Sequence, residues 1–506
     1  MATETTSEPE SRPDLGEAAA HGVRWSAISR PAIEVLQLGS MIILARLVVP
    51  GEFGRFAVAT IAIEIASLVV GTGLGNAIVQ RATADRRHLQ AASALALVIG
   101  VAMTVATLLL AHFVIPPVFG SRTGELTLLL TPICLLSAIG TVPMALLRRR
   151  MAFRRLSMIE IGATAARVLV GVALAIAGLG GAALVLGVLA GWLVTTVAAV
   201  VSAPPPLPRF SRKPMRELLD FAVPMSLVSL TWVGFSNVDY AVIGARLGTV
   251  QTGLYFRAYT IAVEYQSKLG VVMSQIGFPV LARSADNSEM EHLRRQMVRS
   301  LTIVLFPLLA LLSISAPVLV PFVFGSEWSA AVGPVQVLAL GGAATVLIDA
   351  AGTVLMAGGR PRSLLLFGGG HFLAYGVTVL LIAPFGLTAI AAGASVVHGA
   401  FVVISYWLIR ETSPQPVLRR LWDDISPATS SSIGMAAIAL PVSWALTAAG
   451  LPALPWLFAL SLAGGAAYLV ILRIGFAAVW ANQMAIARRI VPIGRRRVPA
   501  HALQGT

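Results

Sequence analysis

Two glutamates occupy matching positions inside apolar stretches of this sequence. When the chain is shifted by 200 residues, residues 41–67 fall on residues 241–267 without a gap, and ten of the 27 positions are identical. Glu64 then falls on Glu264, and an arginine falls on an arginine. A carboxyl group in apolar surroundings can take up a proton, hold a cation or pair with a base. The repeat therefore predicts two homologous halves, each with a buried carboxyl group.

The first half has further ionisable residues near Glu64. If each half begins with a helical hairpin, Glu64 lies fourteen residues after a turn near Pro50, or about 21 Å along a helix. Glu34 lies at a similar depth on the preceding helix, with Arg30 one turn further along. Because ionisable groups at such depth usually face a cavity or one another, we expect Glu64 to pair with Arg30. The hypothesis is that Glu64 or Glu34 takes up a proton or Na⁺.

The second half repeats this arrangement with different partners. Asp239 precedes the second hairpin turn, and Lys268 lies four residues beyond Glu264. This i, i+4 spacing allows Glu264 and Lys268 to form a structural bridge on one helix face, and a role in a cavity is the alternative; both stay open. Position 68 is leucine, so Glu64 lacks the equivalent partner and is the preferred candidate for the working carboxylate.

These residues belong to a chain with the composition of a polytopic membrane protein. Of its 506 residues, 57% are hydrophobic and 12% are charged, whereas soluble domains have about 25% charged residues. A single cysteine, Cys134, excludes an internal disulfide framework, and the scattered histidines predict no metal site. Fourteen apolar stretches are long enough for transmembrane helices, at 24–48, 54–78, 90–115, 126–147, 157–177, 180–201, 218–247, 254–278, 298–322, 331–356, 363–383, 386–409, 429–449 and 452–474.

The positions of the basic residues predict the orientation in the membrane. If the N-terminus is cytoplasmic, 30 of the 37 basic residues lie on the inner side, in keeping with the positive-inside rule. Both termini are then cytoplasmic. Topology and anionic lipids explain the net charge of +14 better than nucleic-acid binding does.

The predicted fold is all-α, with two six-helix lobes in a pseudo-two-fold repeat and two additional C-terminal helices. Parallel repeats of this kind are typical of transporters that work by alternating access. A segment rich in proline and arginine forms a stiff linker between the lobes. The predicted boundaries are a disordered cytoplasmic tail (1–21), the N-lobe (22–203), the linker (204–216), the C-lobe (217–410), helices 13 and 14 (411–474), and a basic cytoplasmic tail (475–506) that includes a short interfacial helix.

Several motifs resemble those of one transporter family. Ala45–Gly54 (ARLVVPGEFG) and Gly73–Arg81 (GLGNAIVQR) resemble the start of bacterial polysaccharide exporters. These are the Wzx-type oligosaccharide flippases of the multidrug/oligosaccharidyl-lipid/polysaccharide transporter superfamily. Gly253–Tyr255 and Phe324–Trp328 are similar to the same family, and the likeness extends over about residues 22–410. The first motif is specific to the family rather than to a substrate.

The resemblance implies a V-shaped pair of lobes around a central cavity in the bacterial plasma (inner) membrane. It implies movement of a polyprenyl-pyrophosphate-linked oligosaccharide to the outer leaflet for the biosynthesis of cell-surface polysaccharide or lipopolysaccharide. In the related lipid II flippases, helices 13 and 14 help to form a groove for the lipid tail. The expected partners are the substrate and membrane lipids, with glycosyltransferases and a polymerase of the same pathway as further candidates. We expect a monomer.

Four arginines near the predicted outer helix ends differ in their electrostatic setting. Arg46 and Arg246 end helices 1 and 7, where a cation complements the helix dipole, so a capping role is expected. Arg55 and Arg257 lie near the starts of helices 2 and 8, where the dipole disfavours a cation. An anionic pyrophosphate is the natural ligand for arginines in such positions.

Two further arginines are candidates for substrate binding, one from the family resemblance and one from its position in the sequence. The related lipid II flippases have arginines on helices 1, 2 and 8 that face the cavity, which implies Arg24, Arg55 and Arg257 here. Arg167 lies on helix 5, seven residues after Glu160. It either lines the cavity or pairs locally, and both readings stay open.

Three alternative functions stay open. A cation-coupled multidrug antiporter would have the same lobes, but it would prefer an acidic and aromatic cavity. A lipid II flippase shares the mechanism, and the motif at Ala45–Gly54 argues against it. A membrane glycosyltransferase or polymerase is disfavoured because no outer connector exceeds roughly a dozen residues. Since the chain also lacks a Walker-type loop, we predict a protein that is not an enzyme and has no cofactor, with coupling to H⁺ or Na⁺ as an option.

Overall fold

The protein is an all-α, multi-pass membrane protein, as its composition predicts. The computed structural model describes residues 15–81, 85–264, 266, 277–278, 281–284 and 286–490. Within these ranges the regular structure is helical and contains no strand. Eleven helical segments of the described chain are long and apolar enough to cross a membrane. The residues form two compact units.

Unit 1 contains the described residues up to Arg257, together with Val323–Ala331 and Phe372–Leu387. A π-helical turn at Leu110–Val114 joins its third and fourth helices. In chain order the helices are α1 (Leu15–Leu47), α2 (Pro50–Gln80), α3 (Arg86–Leu109), α4 (Ile115–Phe119), α5 (Ser121–Leu130), α6 (Pro132–Arg149), α7 (Phe153–Ile176), α8 (Gly181–Ser202), α9 (Arg212–Arg246) and α10 (Thr249–Tyr259).

Helix α2 lies at the centre of unit 1, where it packs against α3, α5, α6, α8 and α9. It begins with Pro50, whose fixed φ suits the first helical turn, and Glu52 complements the helix dipole there. Near its other end, Leu74, Ala77 and Ile78 form a buried apolar cluster with residues of α3, α6 and α9. A Cβ atom at Gly73 would overlap the carbonyl oxygen of Ala222, so only glycine allows α9 to approach this closely.

Helices α2 and α10 cross with their backbones in contact. A Cβ atom at Gly54 would overlap the carbonyl oxygen of Thr249, and one at Gly253 would overlap that of Pro50. The two glycines are therefore equivalent, although they are 199 rather than 200 residues apart. A π-helical turn at Thr260–Glu264 follows α10.

Unit 2 contains the described residues of Ala258–Phe322 and Val332–His371, and those from Thr388 onward. The last residues of α11 and the second half of α13 belong to unit 1. In chain order its helices are α11 (Asn287–Phe324), α12 (Val332–Ala357), α13 (Pro361–Ile382), α14 (Leu387–Leu408), α15 (Val417–Ala448), α16 (Ala453–Gly475) and α17 (Ala477–Ile490).

A buried group of charged residues joins α11 to α15 in unit 2. Glu291 accepts hydrogen bonds from Arg294 and from Arg420, whose Nε lies 2.8 Å from Glu291 Oε1. Arg294 also pairs with Asp424 at 2.6 Å, and the hydroxyl of Tyr406 donates to the same carboxylate. Arg294 and Arg420 are each 1% exposed. Two carboxylates thus balance two buried guanidinium groups, which fixes the start of α15 against α11.

Apolar contacts hold the C-terminal helices of unit 2 in place. Met435 of α15 packs with Tyr468 and Leu472 of α16, and Ile303 of α11 lies against this cluster. The hydroxyl of Tyr468 donates to the carbonyl oxygen of Ile303 at 2.8 Å. The two additional helices expected from the sequence are therefore packed on α11.

Most predicted spans correspond to observed helices. The eleven candidate spans match the second to sixth and the ninth to fourteenth predictions, and the predicted tail helix is α17. The first and seventh predictions correspond to α1 and α9, which are not among the eleven candidate spans. The eighth prediction includes residues outside those described, so the total of fourteen stays a prediction. Helix α1 begins at Leu15, before the predicted start of the N-lobe, because the alanine-rich segment there favours a helix. The proline-rich connection between α8 and α9 spans residues 203–211.

Candidate functional site

Glu64 lies at the contact between α2 and α9. Its Oε2 accepts a hydrogen bond of 3.1 Å from the side-chain amide of Asn237, which also donates to the carbonyl oxygen of Val233. Asn237 is buried, whereas Glu64 is exposed. Arg30 is exposed on α1, and the described residues include no ion pair between it and Glu64. A neutral amide therefore contacts this carboxylate.

Asp239 lies deeper inside unit 1 and is 1% exposed. The hydroxyl of Tyr375 donates to its Oδ2 at 2.8 Å, and the backbone N–H of Tyr240 donates to its Oδ1 at 2.9 Å. The hydroxyl of Tyr255 lies 3.4 Å from that of Tyr375. Among the described residues, none with a positive charge is within ion-pair distance of Asp239. Since burying an uncompensated carboxylate is costly, this arrangement suits a carboxyl group that binds a proton.

Arg257 is enclosed by aromatic rings in unit 1 and is only 3% exposed. Its guanidinium carbon lies 4.4 Å from the ring centre of Phe53, 5.6 Å from that of Phe324 and 5.4 Å from that of Trp328. We call these three rings and the arginine the aromatic cage. The guanidinium is stabilised there by cation–π attraction, so in this conformation it does not face a cavity.

Hydrogen bonds to the end of α1 hold the aromatic cage in place. The indole N–H of Trp328 donates to the carbonyl oxygen of Ala45 at 2.9 Å. Arg46 Nε donates to the carbonyl oxygen of Val323, also at 2.9 Å. Arg46 thus lies in the last turn of α1, as expected, and it additionally anchors the chain segment that carries Phe324 and Trp328.

Arg55 forms an ion pair with Glu52 in the first turn of α2 and remains 33% exposed. The other oxygen of Glu52 accepts a hydrogen bond of 2.9 Å from the backbone N–H of Gly181, the first residue of α8. Glu52 thereby caps α8 and neutralises Arg55. This pair explains how a cation is tolerated near a helix N-terminus, where the dipole disfavours it.

Arg167 has the most unusual environment of the predicted arginines. It lies in the middle of α7, fourteen residues after the first residue, Phe153, or about 21 Å along the helix. Its side chain is exposed and packs beside Gly191 of α8, where a glycine leaves room for it. Within the described part of the chain it has neither an ion-pair nor a hydrogen-bond partner. Glu160 is exposed two turns away and does not pair with it.

The remaining predicted residues are Glu34, Glu264, Lys268 and Arg24. Glu34 is half-buried on α1, and Glu264 is exposed in the π-helical turn of unit 2. Lys268 lies outside the described residues, so its predicted pairing with Glu264 stays a prediction. Arg24 belongs to α1, but its side chain is likewise outside the described set. The described residues contain no cluster suited to a metal ion.

Sequence reasoning did not select Asn237 and Tyr375. Both are neutral, whereas the sequence-based prediction rests on charged groups inside apolar stretches. The sequence gives a weak indication of both residues. An amide or a phenol in an apolar helix needs a hydrogen-bond partner once it is buried. Trp328 and Phe324 were noticed only as parts of a family motif, and their contact with Arg257 was not predicted.

The fold and these groups define a class of protein. A multi-pass helical unit with a mid-helix arginine and a buried carboxyl group has the features of a membrane transporter. A family model described as "Polysaccharide biosynthesis protein" matches residues 43–333, which is more than half of the chain. The chain belongs to this family, which confirms the resemblance seen in its motifs.

Two similar curated proteins have names from the same area of biology. The teichuronic acid biosynthesis protein TuaB of Bacillus subtilis (strain 168) is 27% identical over 415 residues, which cover 78% of this chain and 83% of that protein. The lipopolysaccharide biosynthesis protein WzxC of Escherichia coli (strain K12) is 26% identical over 358 residues, with coverage of 68% and 71%.

Solved structures share the fold at low sequence identity. The lipid II flippase MurJ in an inward closed conformation matches with a TM-score of 0.76 and 13% identity, covering 90% of this chain and 99% of that chain. An inward-facing multidrug transporter of the MATE family matches with a TM-score of 0.59 and 14% identity, covering 75% and 94%. The fold is therefore that of the superfamily expected from the sequence.

Proposed function

We propose that the protein is a flippase that moves a polyprenyl-pyrophosphate-linked oligosaccharide across the bacterial plasma membrane by alternating access. Its relatives are named for the biosynthesis of teichuronic acid and lipopolysaccharide, and one is named as a succinoglycan biosynthesis transport protein. These products share a polysaccharide nature, while the sugars differ. A lipid-linked oligosaccharide is the form of cargo that fits all three names.

The observation that carries the proposal is the arginine in the middle of α7, which is exposed and has no partner among the described residues. A charged side chain at this depth is costly and usually faces a cavity. Arg167 can offer the pyrophosphate two parallel N–H donors, which is the geometry that guanidinium groups use with phosphate. Arg55 is a second candidate, because a pyrophosphate can replace Glu52 as the anionic partner of its guanidinium group.

Arg257 and Arg24 have a different place in the proposal. The aromatic cage encloses Arg257, so it contributes to binding only in a conformation in which Phe53 and Trp328 have moved apart. Arg24, on α1, is the candidate for the first contact with the headgroup at the cytoplasmic side. Both roles rest on the family resemblance rather than on contacts.

Asp239 is the candidate for proton coupling. It has no cationic partner among the described residues, and a phenol and a backbone amide donate to it. Binding of a proton would remove the cost of its buried charge. Glu64, Glu34 and Glu264 remain the other candidates for an H⁺ or Na⁺ site. The membrane potential assists export by about 2.3 kcal/mol per negative charge and 100 mV, so coupling adds to a favourable gradient.

The orientation and partners are part of the same proposal. Both termini are cytoplasmic, so the ends of α2, α6 and α8 and the start of α9, where the arginines gather, face the cytoplasm. The protein works as a monomer that accepts its cargo from glycosyltransferases and delivers it to a polymerase, without a catalytic step of its own. A cation-coupled drug antiporter is the second candidate, favoured by the buried Asp239.

A flipping assay separates these functions. The full-length protein is reconstituted into liposomes that contain a fluorescent polyprenyl-pyrophosphate-linked oligosaccharide, and dithionite added outside bleaches the probe that is exposed there. We expect Arg167→Gln to slow flipping at least tenfold, because a charge-assisted hydrogen bond contributes about 1.5–3 kcal/mol. Arg209→Gln is the matched control, since Arg209 is exposed in the α8–α9 connection.

The outcomes of these assays test the role of Arg167, the flippase function and the role of Asp239. Equal rates for the two arginine variants would remove Arg167 from the binding site. Absence of flipping by the parent protein, together with export of a cationic dye driven by a pH gradient, would replace the flippase with an antiporter. An Asp239→Asn variant that keeps the parent's response to a pH gradient would exclude this residue as the proton site.

A further inference from the structure

His88 bridges two carboxylates where the arginines of unit 1 gather. Its Nδ1 lies 2.5 Å from Oδ1 of Asp85, and its Nε2 lies 3.1 Å from Oε2 of Glu217. Asp85 caps the start of α3 by accepting a hydrogen bond from the backbone N–H of His88, whereas Glu217 belongs to α9. The imidazole therefore links α3 to α9.

A charged imidazole fits this geometry better than a neutral one. A carboxylate oxygen only accepts hydrogen bonds, and a neutral imidazole has one N–H donor, so only the imidazolium can donate to both partners. The hydrogen bond from the backbone N–H of His88 lowers the pKa of Asp85, and the hydrogen bond from the imidazole lowers the pKa of Glu217. Both carboxyl groups are thus ionised at any pH at which the histidine changes its charge.

The other charged groups around His88 do not titrate in this range. Arg81, at the end of α2, forms an ion pair with Glu217. Arg149 of α6 donates to the carbonyl oxygens of Ile78 and Arg81. Arg87 lies next to Asp85 and adds to the field that acts on it. Arginines keep their charge, so the imidazole is the group among these that can gain or lose a proton.

The bridge lies where α9 is seated on the rest of unit 1. Leu218, next to Glu217, is 1% exposed and packs in one cluster with Ala77, Ile78 and Ala91. We propose that His88 acts as a pH-dependent clasp, which holds the start of α9 against α2 and α3 when it is protonated and releases it when it is neutral.

The direction of the pH effect follows from the contacts. The docked state favours the charged imidazole, because two carboxylates accept its hydrogen bonds. Docking is therefore strongest when the imidazole is protonated and weakens as the pH rises and the proton is lost. With one proton involved, the ratio of released to docked molecules rises at most about tenfold per pH unit. In the proposed transporter this end is cytoplasmic, so acidification of the cytoplasm would keep it closed.

Spin-label distances test the clasp without any cargo, so the result does not depend on the proposed function. Labels are placed on Arg150→Cys and Lys213→Cys, which are exposed positions of unit 1 and not members of the bridge, while the native Cys134 is buried. The full-length protein in nanodiscs is measured from about pH 5.5 to about pH 8.5, the range around the titration of ordinary histidines. We expect a longer distance to gain population as the pH rises.

Three variants decide the interpretation. His88→Gln should show the long distance at every pH, and His88→Arg, which stays charged, should show the short distance at every pH. Arg81→Gln removes the ion pair that does not titrate and should keep the pH response. The clasp is refuted if the parent protein shows no pH response, or if His88→Gln and His88→Arg both respond as the parent does.

Discussion

Replacement of Arg257 by methionine tests whether this arginine is structural in the observed conformation. Methionine has similar length and fills the space between the rings, but it removes the positive charge. A desolvated cation–π contact contributes about 2 kcal/mol or more. Three rings surround the guanidinium, at 4.4–5.6 Å from its carbon. Because the rings share one cation, we expect a total loss of about 2 kcal/mol, or roughly a 30-fold change in the unfolding equilibrium.

The measurement is the unfolding of the purified full-length protein in detergent, without substrate. Arg209→Met is the matched control, since Arg209 is exposed and a surface substitution usually changes stability by less than about 0.5 kcal/mol. If Arg257→Met is as stable as this control and yet no longer flips the fluorescent probe, the guanidinium acts on substrate rather than within the aromatic cage, and the reasoning fails.

Two further predictions concern packing and buried charge, and both are measured by the same unfolding assay. Gly253→Ala forces a Cβ atom against the carbonyl of Pro50 and should cost about 1–3 kcal/mol. Gly75→Ala, where nothing lies within 4 Å, should not destabilise, so equal losses would contradict the close crossing. Glu291→Gln leaves Arg294 and Arg420 with one carboxylate fewer and should cost about 3–5 kcal/mol. A loss no larger than that of the exposed Glu289→Gln would show that the buried charges are not coupled.

The sequence predicted the helices well, because apolar length is a strong local signal. The segment Phe153–Ile176 is an example, since its hydropathy alone located α7 to within a few residues. The predicted alignment of the two halves was less accurate than the predicted helices. The alignment at 200 residues opposed Phe53 to Gly253, whereas the structure makes Gly54 and Gly253 equivalent. The equivalence of the two glycines follows from a contact between two helix backbones, and no local sequence rule reveals such a contact.

The partners of charged residues were harder to predict than their depth. Arg257 was expected to bind an anion because the helix dipole disfavours a cation near the start of a helix. The structure stabilises it instead with rings from positions 53, 324 and 328, which are far apart in the chain. Glu64 was expected to pair with Arg30, and a neutral amide contacts it. Electrostatic reasoning from the sequence considers only charges, while buried cations and carboxylates also use aromatic faces and amides.

The motifs that identify the family share one structural location. Ala45 and Arg46, from the first motif, bind the segment of the fourth motif through Trp328 and Val323. Phe53 contacts Arg257, and Gly253, from the third motif, contacts the start of α2. These residues determine how the ends of α1, α2 and α10 fit together. The motifs therefore specify how these helix ends pack, and we expect residues outside the motifs, such as Arg167 on α7, to select the substrate.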